Sequence, residues 1–289
     1  MNSLASTAAQ KTHKTRPVPE WLLYLPLLIV ALINLTPFYF TLVGALQPAT
    51  HALGSGPPPI WPESFNWQNF AIAWERGHFG LAMTNTLFLA TLSALARILG
   101  GAMAGYAFAK TSFPGEKWIF AVLLLSIMIP TELTLVPSYL VMKQLGWINT
   151  FLPFIVPGLG DVFTIFFFRQ FMQTLPTTML EAARIDGASE PRIFFQLVIP
   201  NALPALASLF ILNFQSVYND FQGPLIYLND ERLYTVQLQL KQFERLYGTN
   251  YDNILGSAAN LLTCLPVIVV FIIFQRQLIQ GISTTGIKG

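Results

Sequence analysis

Residues 180–189 of the chain read LEAARIDGAS, and residues 197–200 read LVIP. The first stretch is polar, although long apolar blocks lie on both sides of it. We call residues 177–199 the island. A polar segment between two blocks of membrane-spanning length is typical of a loop that leaves the bilayer and faces water or a partner protein. The island therefore determines how the rest of the sequence is interpreted.

The island carries start and stop signals for two short helices. Thr178 and Glu181 fit a capping box, in which each side chain bonds a backbone N–H at the start of a helix. Gly187 suits the left-handed position that ends a helix, and Ser189 and Pro191 suit the N-cap and first turn of the next one. The pattern predicts helix, bend and helix. It leaves two interpretations open, a docking surface for a partner and a linker in which Glu181 only caps a helix.

The composition predicts an all-α integral membrane protein. Hydrophobic residues make up 53% of the chain and charged residues 10%, and the mean hydropathy is +0.53. A helix needs about 20 apolar residues to cross a bilayer. Six such runs occur, at residues 21–46, 81–109, 118–142, 144–168, 193–219 and 254–275. We expect six transmembrane helices in one domain over residues 21–281, with tails at residues 1–20 and 282–289.

The distribution of Lys and Arg predicts the orientation of the chain. Six spans place both termini on one side, together with the turn after the second span and the island. Ten basic residues fall on that side and five in the opposite loops, near residues 47–80, 143 and 225–252. Because loops rich in Lys and Arg stay in the cytoplasm, we expect both termini and the island to be cytoplasmic.

Several kinds of chemistry find no support in the sequence. The G-x-x-x-x-G-K-[ST] pattern of a P-loop does not occur. Cys264 is the one cysteine, which excludes a disulfide framework and a thiolate metal site within one chain. The net charge of +2 gives no indication of nucleic-acid binding. We expect a chain that is not an enzyme and that holds no cofactor or metal.

Polar residues inside apolar spans are costly and often functional. The fifth span contains a polar run that includes Gln215, Tyr218, Asn219 and Asp220. Too many polar groups occur there for all of them to face lipid, so we expect these residues to line a translocation path. Glu132 lies between two prolines of the third span, which indicates a gate or a contact between subunits.

Two further charged residues fall inside spans. Arg97 either lines a cavity, extends to the membrane surface or pairs with a neighbouring subunit. Asp161 follows two glycines and is either functional or a polar residue at a helix end. The sequence leaves both roles open.

The island resembles the EAA motif of binding-protein-dependent ABC importer permeases, which reads EAA, three residues, G, nine residues and I-x-L-P. The matching positions are Glu181, Ala182, Ala183, Gly187 and residues 197–200. Leu197 and Ile199 replace the family's Ile and Leu, which leaves volume and polarity nearly unchanged.

Other segments resemble the carbohydrate importers of this family and cover most of the chain. They are residues 106–109, 113–115, 129–137, 145–150, 168–171 and 275–289. The whole chain is similar to a maltose-permease-like subunit. One departure lies in the fifth span, where the family has Trp-Asn-Asp or Trp-Asn-Glu and this chain has Tyr218-Asn219-Asp220.

The resemblance implies a fold, a function and partners. The fold is the type I ABC importer permease fold, also called MetI-like, with cytoplasmic coupling helices at about residues 177–199. The ATPase-coupling residues are Glu181, Ala182, Ala183, Asp186, Gly187 and Pro200. The function is import of a sugar or a sugar derivative such as glycerol phosphate across a bacterial cytoplasmic membrane.

The implied partners are a second homologous permease, two ABC ATPase subunits, an extracytoplasmic substrate-binding protein and the lipid bilayer. ATP and Mg²⁺ are bound by the ATPase. The alternative function is a stand-alone secondary transporter coupled to an ion, but the paired interrupted helices typical of such carriers do not stand out in the sequence.

Overall fold

The computed structural model describes residues 20–48, 59–247 and 252–286. Within these residues the chain is helical and contains no strand. The helices are α1 (Glu20–Ala45), α2 (Gln68–Arg76), α3 (Phe79–Lys110), α4 (Glu116–Ile127), α5 (Thr131–Gln144), α6 (Leu152–Ile155), α7 (Val162–Thr174), α8 (Thr177–Ile185), α9 (Glu190–Ile193), α10 (Ile199–Asn201), α11 (Leu203–Tyr218), α12 (Gln222–Tyr227), α13 (Val236–Tyr247) and α14 (Asp252–Gly286). The predicted tails lie outside the described residues, except residue 20 in α1 and residues 282–286 in α14.

Among the described residues, four helices are long and apolar enough to cross a membrane, and the number is six when each of two bent pairs is counted as one span. Four of them have no sharp bend, namely Tyr24–Ala45, Phe79–Lys110, Leu152–Thr174 and Ile254–Arg276. The other two are the pairs α4 with α5, and α9 to α10 with α11. This confirms the predicted all-α membrane fold. The first, second and last spans lie within a few residues of their predicted positions.

The third and fifth spans are bent, a feature that their hydropathy alone does not show. α4 and α5 meet at 105°, and the segment before α11 meets it at 78°. Pro130 has an extended backbone (ψ 135°) at the first break, and Pro204 stands in the first turn of α11. Proline has no N–H to continue the helical ladder and disfavours helical backbone in the residue before it.

The fourth span begins later than predicted. Residues 144–168 were expected to span the membrane, but the observed segment is Leu152–Thr174. Gly146 (φ +71°) and Asn149 (φ +63°) adopt left-handed backbone and end α5 in a turn. The Asn149 side chain holds this turn, because its Oδ1 accepts hydrogen bonds from the backbone N–H groups of Asn229 (3.0 Å) and Asp230 (2.9 Å). The surrounding apolar residues hide the turn in a hydropathy profile.

α3 packs directly on α7 through glycines. A Cβ at Gly105 would lie 2.6 Å from the Cβ of Phe168, and one at Gly100 would overlap the backbone carbonyl of Leu159, in the turn just before α7. Gly101 approaches the Thr164 side chain in the same way. Small residues let transmembrane helices approach at backbone distance. These glycines therefore fix the central helix pair of the fold.

The loops lie at two opposite ends of the helices. At one end the Lys110 Nζ donates to the Leu175 carbonyl (2.6 Å), beside the island. At the opposite end the Asn85 Nδ2 donates to the Arg232 carbonyl (2.8 Å), and α13 buries Val236, Leu240 and Phe243 against α3 and α14. This distribution agrees with six spans that alternate in direction.

The glycine contacts predict a specific pattern of stability. We expect Gly105→Ala and Gly100→Ala to destabilise the protein by about 1–3 kcal/mol each, the usual cost of overpacking. Gly256→Ala in α14 is the matched control, because nothing lies within 4 Å of its Cβ; it should be neutral or stabilise by up to about 1 kcal/mol. Thermal unfolding in detergent measures the difference. Equal midpoints for Gly105→Ala and Gly256→Ala would contradict the close packing.

Candidate functional site

The first helix of the island begins without a side-chain cap. α8 starts at Thr177, and the preceding Pro176 has an extended backbone (φ −59°, ψ 127°) with no side-chain capping bond. The predicted capping box of Thr178 and Glu181 is therefore wrong. Thr178 lies within the first turn, where its hydroxyl cannot fill the N-cap position. Glu181 is exposed and does not cap the helix, which removes the interpretation that capping is its role.

The predicted glycine bend is confirmed. Gly187 has φ +80°. The N–H of Ala188 donates to the Ala183 carbonyl (3.0 Å) and that of Gly187 to the Arg184 carbonyl (3.0 Å), the hydrogen-bond pair of a Schellman motif. Ser189 follows in extended backbone before α9, without a side-chain cap. The island is thus a short helix, a left-handed bend and a second helix.

The two faces of α8 differ in burial. Leu180 is fully buried and Ala183 half-buried against the core at this end of the molecule. Glu181 and Ala182 are exposed, and Ile185 on the same face is 86% exposed. An exposed large apolar side chain beside a small residue and a carboxylate is suited to contact with a partner. Ala183 belongs instead to the packing of the island on its own chain.

Charged and polar side chains tie the island to α3. The Arg184 Nε donates to the Glu190 Oε1 (2.7 Å), and the Tyr106 hydroxyl donates to the Glu190 Oε2 (2.7 Å). The hydrogen bond to Glu190 raises the pKa of Arg184 further above its ordinary value, so its guanidinium stays charged. Both helices of the island and the end of α3 therefore share one network.

The other two predicted coupling residues flank this arrangement. Asp186 is exposed at the end of α8, and its N–H donates to the Ala182 carbonyl (2.9 Å). Pro200 is exposed in α10, just before the bend into α11. A π-helical turn, Phe194–Val198, connects α9 to α10. Such turns often occur at functional sites.

A second candidate site is a cavity of about 540 Å³ on the side of the fold away from the island. It lies between α3, α5, the segment from α6 to α7, and the junction of α11 with α12. Its lining includes Arg97, Thr131, Thr134, Ser138, Phe154, Asp161, Ser216, Asp220, Gln222 and Tyr227. Its volume falls within the range of about 300–1,000 Å³ that is typical of small-molecule sites.

An ion pair crosses the cavity wall. The Arg97 Nη1 lies 3.5 Å from the Asp161 Oδ1. Asp161 also caps α7, because its Oδ2 accepts from the N–H (2.9 Å) and the hydroxyl (2.5 Å) of Thr164. Arg97 and Asp161 therefore pair with each other within the chain and line a cavity. Among the described residues no cluster of three His, Cys, Asp or Glu side chains has the arrangement of a metal site.

The five residues predicted for the translocation path lie in different places. Asp220 lines the cavity. Gln215 lines a separate apolar groove between α11 and α14, and Asn219 is exposed. Glu132 is exposed on α5 and does not line the cavity. Tyr218 is buried, and its hydroxyl donates to the Thr263 carbonyl (2.7 Å), so we do not retain it as a path residue.

Sequence reasoning missed one wall of the cavity. Thr131, Thr134 and Ser138 face it from α5, at the i, i+3 and i+7 positions that share one helix face. That spacing is visible in the sequence, and it could have indicated a polar face on α5. The aromatic wall is less visible, because Phe154 and Tyr227 meet edge to face (5.7 Å between ring centres) only after the chain folds.

Comparisons with known proteins agree with this architecture. Residues 97–284 match the family described as binding-protein-dependent transport system inner membrane component. The chain is 32% identical over 279 residues to an arabinooligosaccharides transport system permease protein of Halalkalibacterium halodurans, covering 96% of this chain and 99% of the relative. It is 32% identical over 265 residues to a melibiose/raffinose/stachyose import permease protein of Bacillus subtilis, covering 90% and 94%.

A solved structure shows the same fold. It is a bacterial ABC transporter involved in the import of the acidic polysaccharide alginate. The TM-score is 0.77 at 21% sequence identity, and the match covers 89% of this chain and 95% of that one.

Proposed function

The chain belongs to the family of binding-protein-dependent transport system inner membrane components, and from this we propose that it is the permease subunit of an ABC importer for a sugar. Two relatives at 32% identity are named as permeases for arabinooligosaccharides and for melibiose, raffinose and stachyose. The alternative of a stand-alone secondary transporter is set aside, because the family is that of binding-protein-dependent transport systems and the relatives are named as permease proteins of sugar transport or import.

The exposed face of α8 is the observation that supports coupling to a separate ATPase. Its bend is fixed by the left-handed Gly187, and its far side is anchored by Leu180. Glu181, Ala182 and Ile185 remain available to a groove on a partner. In this proposal the ATPase binds ATP and Mg²⁺ and moves the island, and the network through Tyr106 passes the movement to α3.

A second permease completes the membrane part in this proposal. None of the side chains of α5 is buried within the chain, although its composition is that of a membrane segment. Glu132 is exposed there, and an exposed carboxylate at membrane depth needs a protein or aqueous partner. The binding protein would deliver the sugar at the end of the fold opposite the island, toward the cavity.

The source of energy tests this function. We expect uptake into proteoliposomes that contain the complete complex to require ATP hydrolysis and the binding protein, and to persist when ion gradients are collapsed with ionophores. Uptake that follows an imposed ion gradient without ATP would overturn the proposal.

The orientation is a separate prediction. Both termini and the island are expected in the cytoplasm, because the basic residues favour that side by ten to five. A fluorescent reporter that folds only in the cytoplasm, fused after residue 289, should fluoresce. A periplasmic phosphatase fused at the same point should be inactive, and the reverse result would invert the topology.

Substitutions on the exposed face of α8 test whether the island couples to an ATPase. Ala182→Trp should lower ATPase activity stimulated by the binding protein about tenfold or more, which corresponds to about 1.4 kcal/mol of lost docking energy. Ala182→Ser keeps the side chain small and should retain normal activity. Glu181→Gln should lower it as well, because the charge contacts the partner and no cap depends on it.

Two controls separate docking from folding. All three variants should insert in the membrane and unfold at the wild-type temperature, because both residues are exposed. If Ala182→Trp and Glu181→Gln both hydrolyse ATP at the wild-type stimulated rate, α8 is not the docking surface.

A further inference from the structure

The cavity beside α5 carries a specific balance of charge. Its charged lining residues are Arg97, Asp161 and Asp220. The first two form the ion pair at 3.5 Å and compensate each other. Asp220 has no cationic group within 4 Å among the residues that the structure describes. The cavity therefore holds a residual charge of one carboxylate.

We infer that this cavity binds neutral sugars and rejects acidic ones such as uronates or sugar phosphates. The inference rests on the proposed function and adds the class of sugar. An anionic group that enters would meet Asp220 without a free counter-ion, since the Arg97 charge is already paired. Like charges in a partly desolvated site repel more strongly than in bulk water.

The hydrogen-bonding groups of the lining fit a polyhydroxylated ligand. The Arg97 Nε is buried and has no partner in the described structure. Ser138 and Ser216 add hydroxyls to the lining. Guanidinium groups only donate, carboxylates only accept, and hydroxyls do both. A sugar hydroxyl, which also does both, can bond the hydroxyls and the carboxylate of the lining.

Aromatic rings supply the apolar surface that a sugar ring also needs. Tyr227 is stacked with Tyr139 (6.4 Å between ring centres, 14° between planes) and meets Phe154 edge to face. Tyr227 and Phe154 line the cavity. Aromatic rings together with a row of hydroxyls form the mixed lining expected of a site for an amphipathic small molecule.

The fold itself does not impose this selectivity. The solved structure with the same fold belongs to an importer of an acidic polysaccharide. In this inference charge preference resides in the lining residues and not in the fold, and we assign it in this chain to Asp220, an acidic position that the chain shares with the importers it resembles. Its Oδ1 accepts from the Gly223 N–H (3.1 Å), which fixes the carboxylate at the cavity.

The test measures direct binding to the complete transporter complex in lipid nanodiscs, without the binding protein. Saturation-transfer NMR would compare neutral raffinose and arabinotriose with anionic digalacturonate. In the wild-type complex at least one neutral sugar should bind about tenfold or more tightly than digalacturonate. Binding of digalacturonate as tight as that of the neutral sugars, or no binding of either neutral sugar, would overturn the inference.

Variants assign the preference to single residues. Asp220→Asn keeps the oxygen that accepts from Gly223 and removes the charge, so the preference for neutral sugar should fall about tenfold. Arg97→Gln leaves Asp161 uncompensated and should weaken digalacturonate binding further. Glu231→Gln, an exposed carboxylate outside the cavity, is the control and should match the wild type. An unchanged preference in Asp220→Asn, at a wild-type unfolding temperature, would also overturn the inference.

The outcomes separate this inference from the proposed function. If uptake in proteoliposomes is driven by ATP but acidic and neutral sugars bind equally, the proposed importer function stands and the inferred charge selectivity is wrong. If uptake is driven by an ion gradient, the proposed importer function is wrong, whichever sugar the cavity prefers.

Discussion

The contact on which the rest of the structure depends is the backbone-close packing of α3 on α7. Lipid offers no hydrophobic driving force between helices, so tight packing and internal hydrogen bonds must hold them together. Gly101 and Gly105 allow that approach, and Gly100 allows the same approach to the turn before α7. The Asp161 carboxylate caps α7 and faces Arg97 on α3, which adds an electrostatic contact to the same pair. This packing holds α3 in place, and with it the side chains of Arg97 at the cavity and Tyr106 at the island.

α3 connects the two candidate sites. Arg97 lies at the cavity and Tyr106 at the island, nine residues apart, or about 13 Å along a helix. Both make a charged or hydrogen-bonded contact to a different segment, Arg97 to Asp161 and Tyr106 to Glu190. One continuous helix therefore joins the island to the cavity wall.

Hydropathy and charge were enough to predict the class, the number of spans and the island, because burial in lipid imposes a strong compositional signal. The glycine bend was also predictable, since Gly187 fills a backbone position that few other residues accept. The turn at Gly146 and Asn149 was missed because side-chain bonds to a distant loop create it. Tyr218 was predicted for the path, and the fold buries it with its hydroxyl donating to the Thr263 carbonyl, a contact between distant segments that the sequence does not show.

The cavity shows how this membrane protein accommodates charged side chains. Placing a single charge in a bilayer is expensive, and pairing it within the chain reduces that cost. Arg97 and Asp161 satisfy this requirement between themselves, whereas among the described residues Asp220 has backbone donation from Gly223 and no cationic partner. Asp220 lies just after the end of α11 and lines the cavity, so water or the hydroxyls of a ligand can reach its carboxylate. A carboxylate without a cationic partner is stable in such a place because it keeps its solvation.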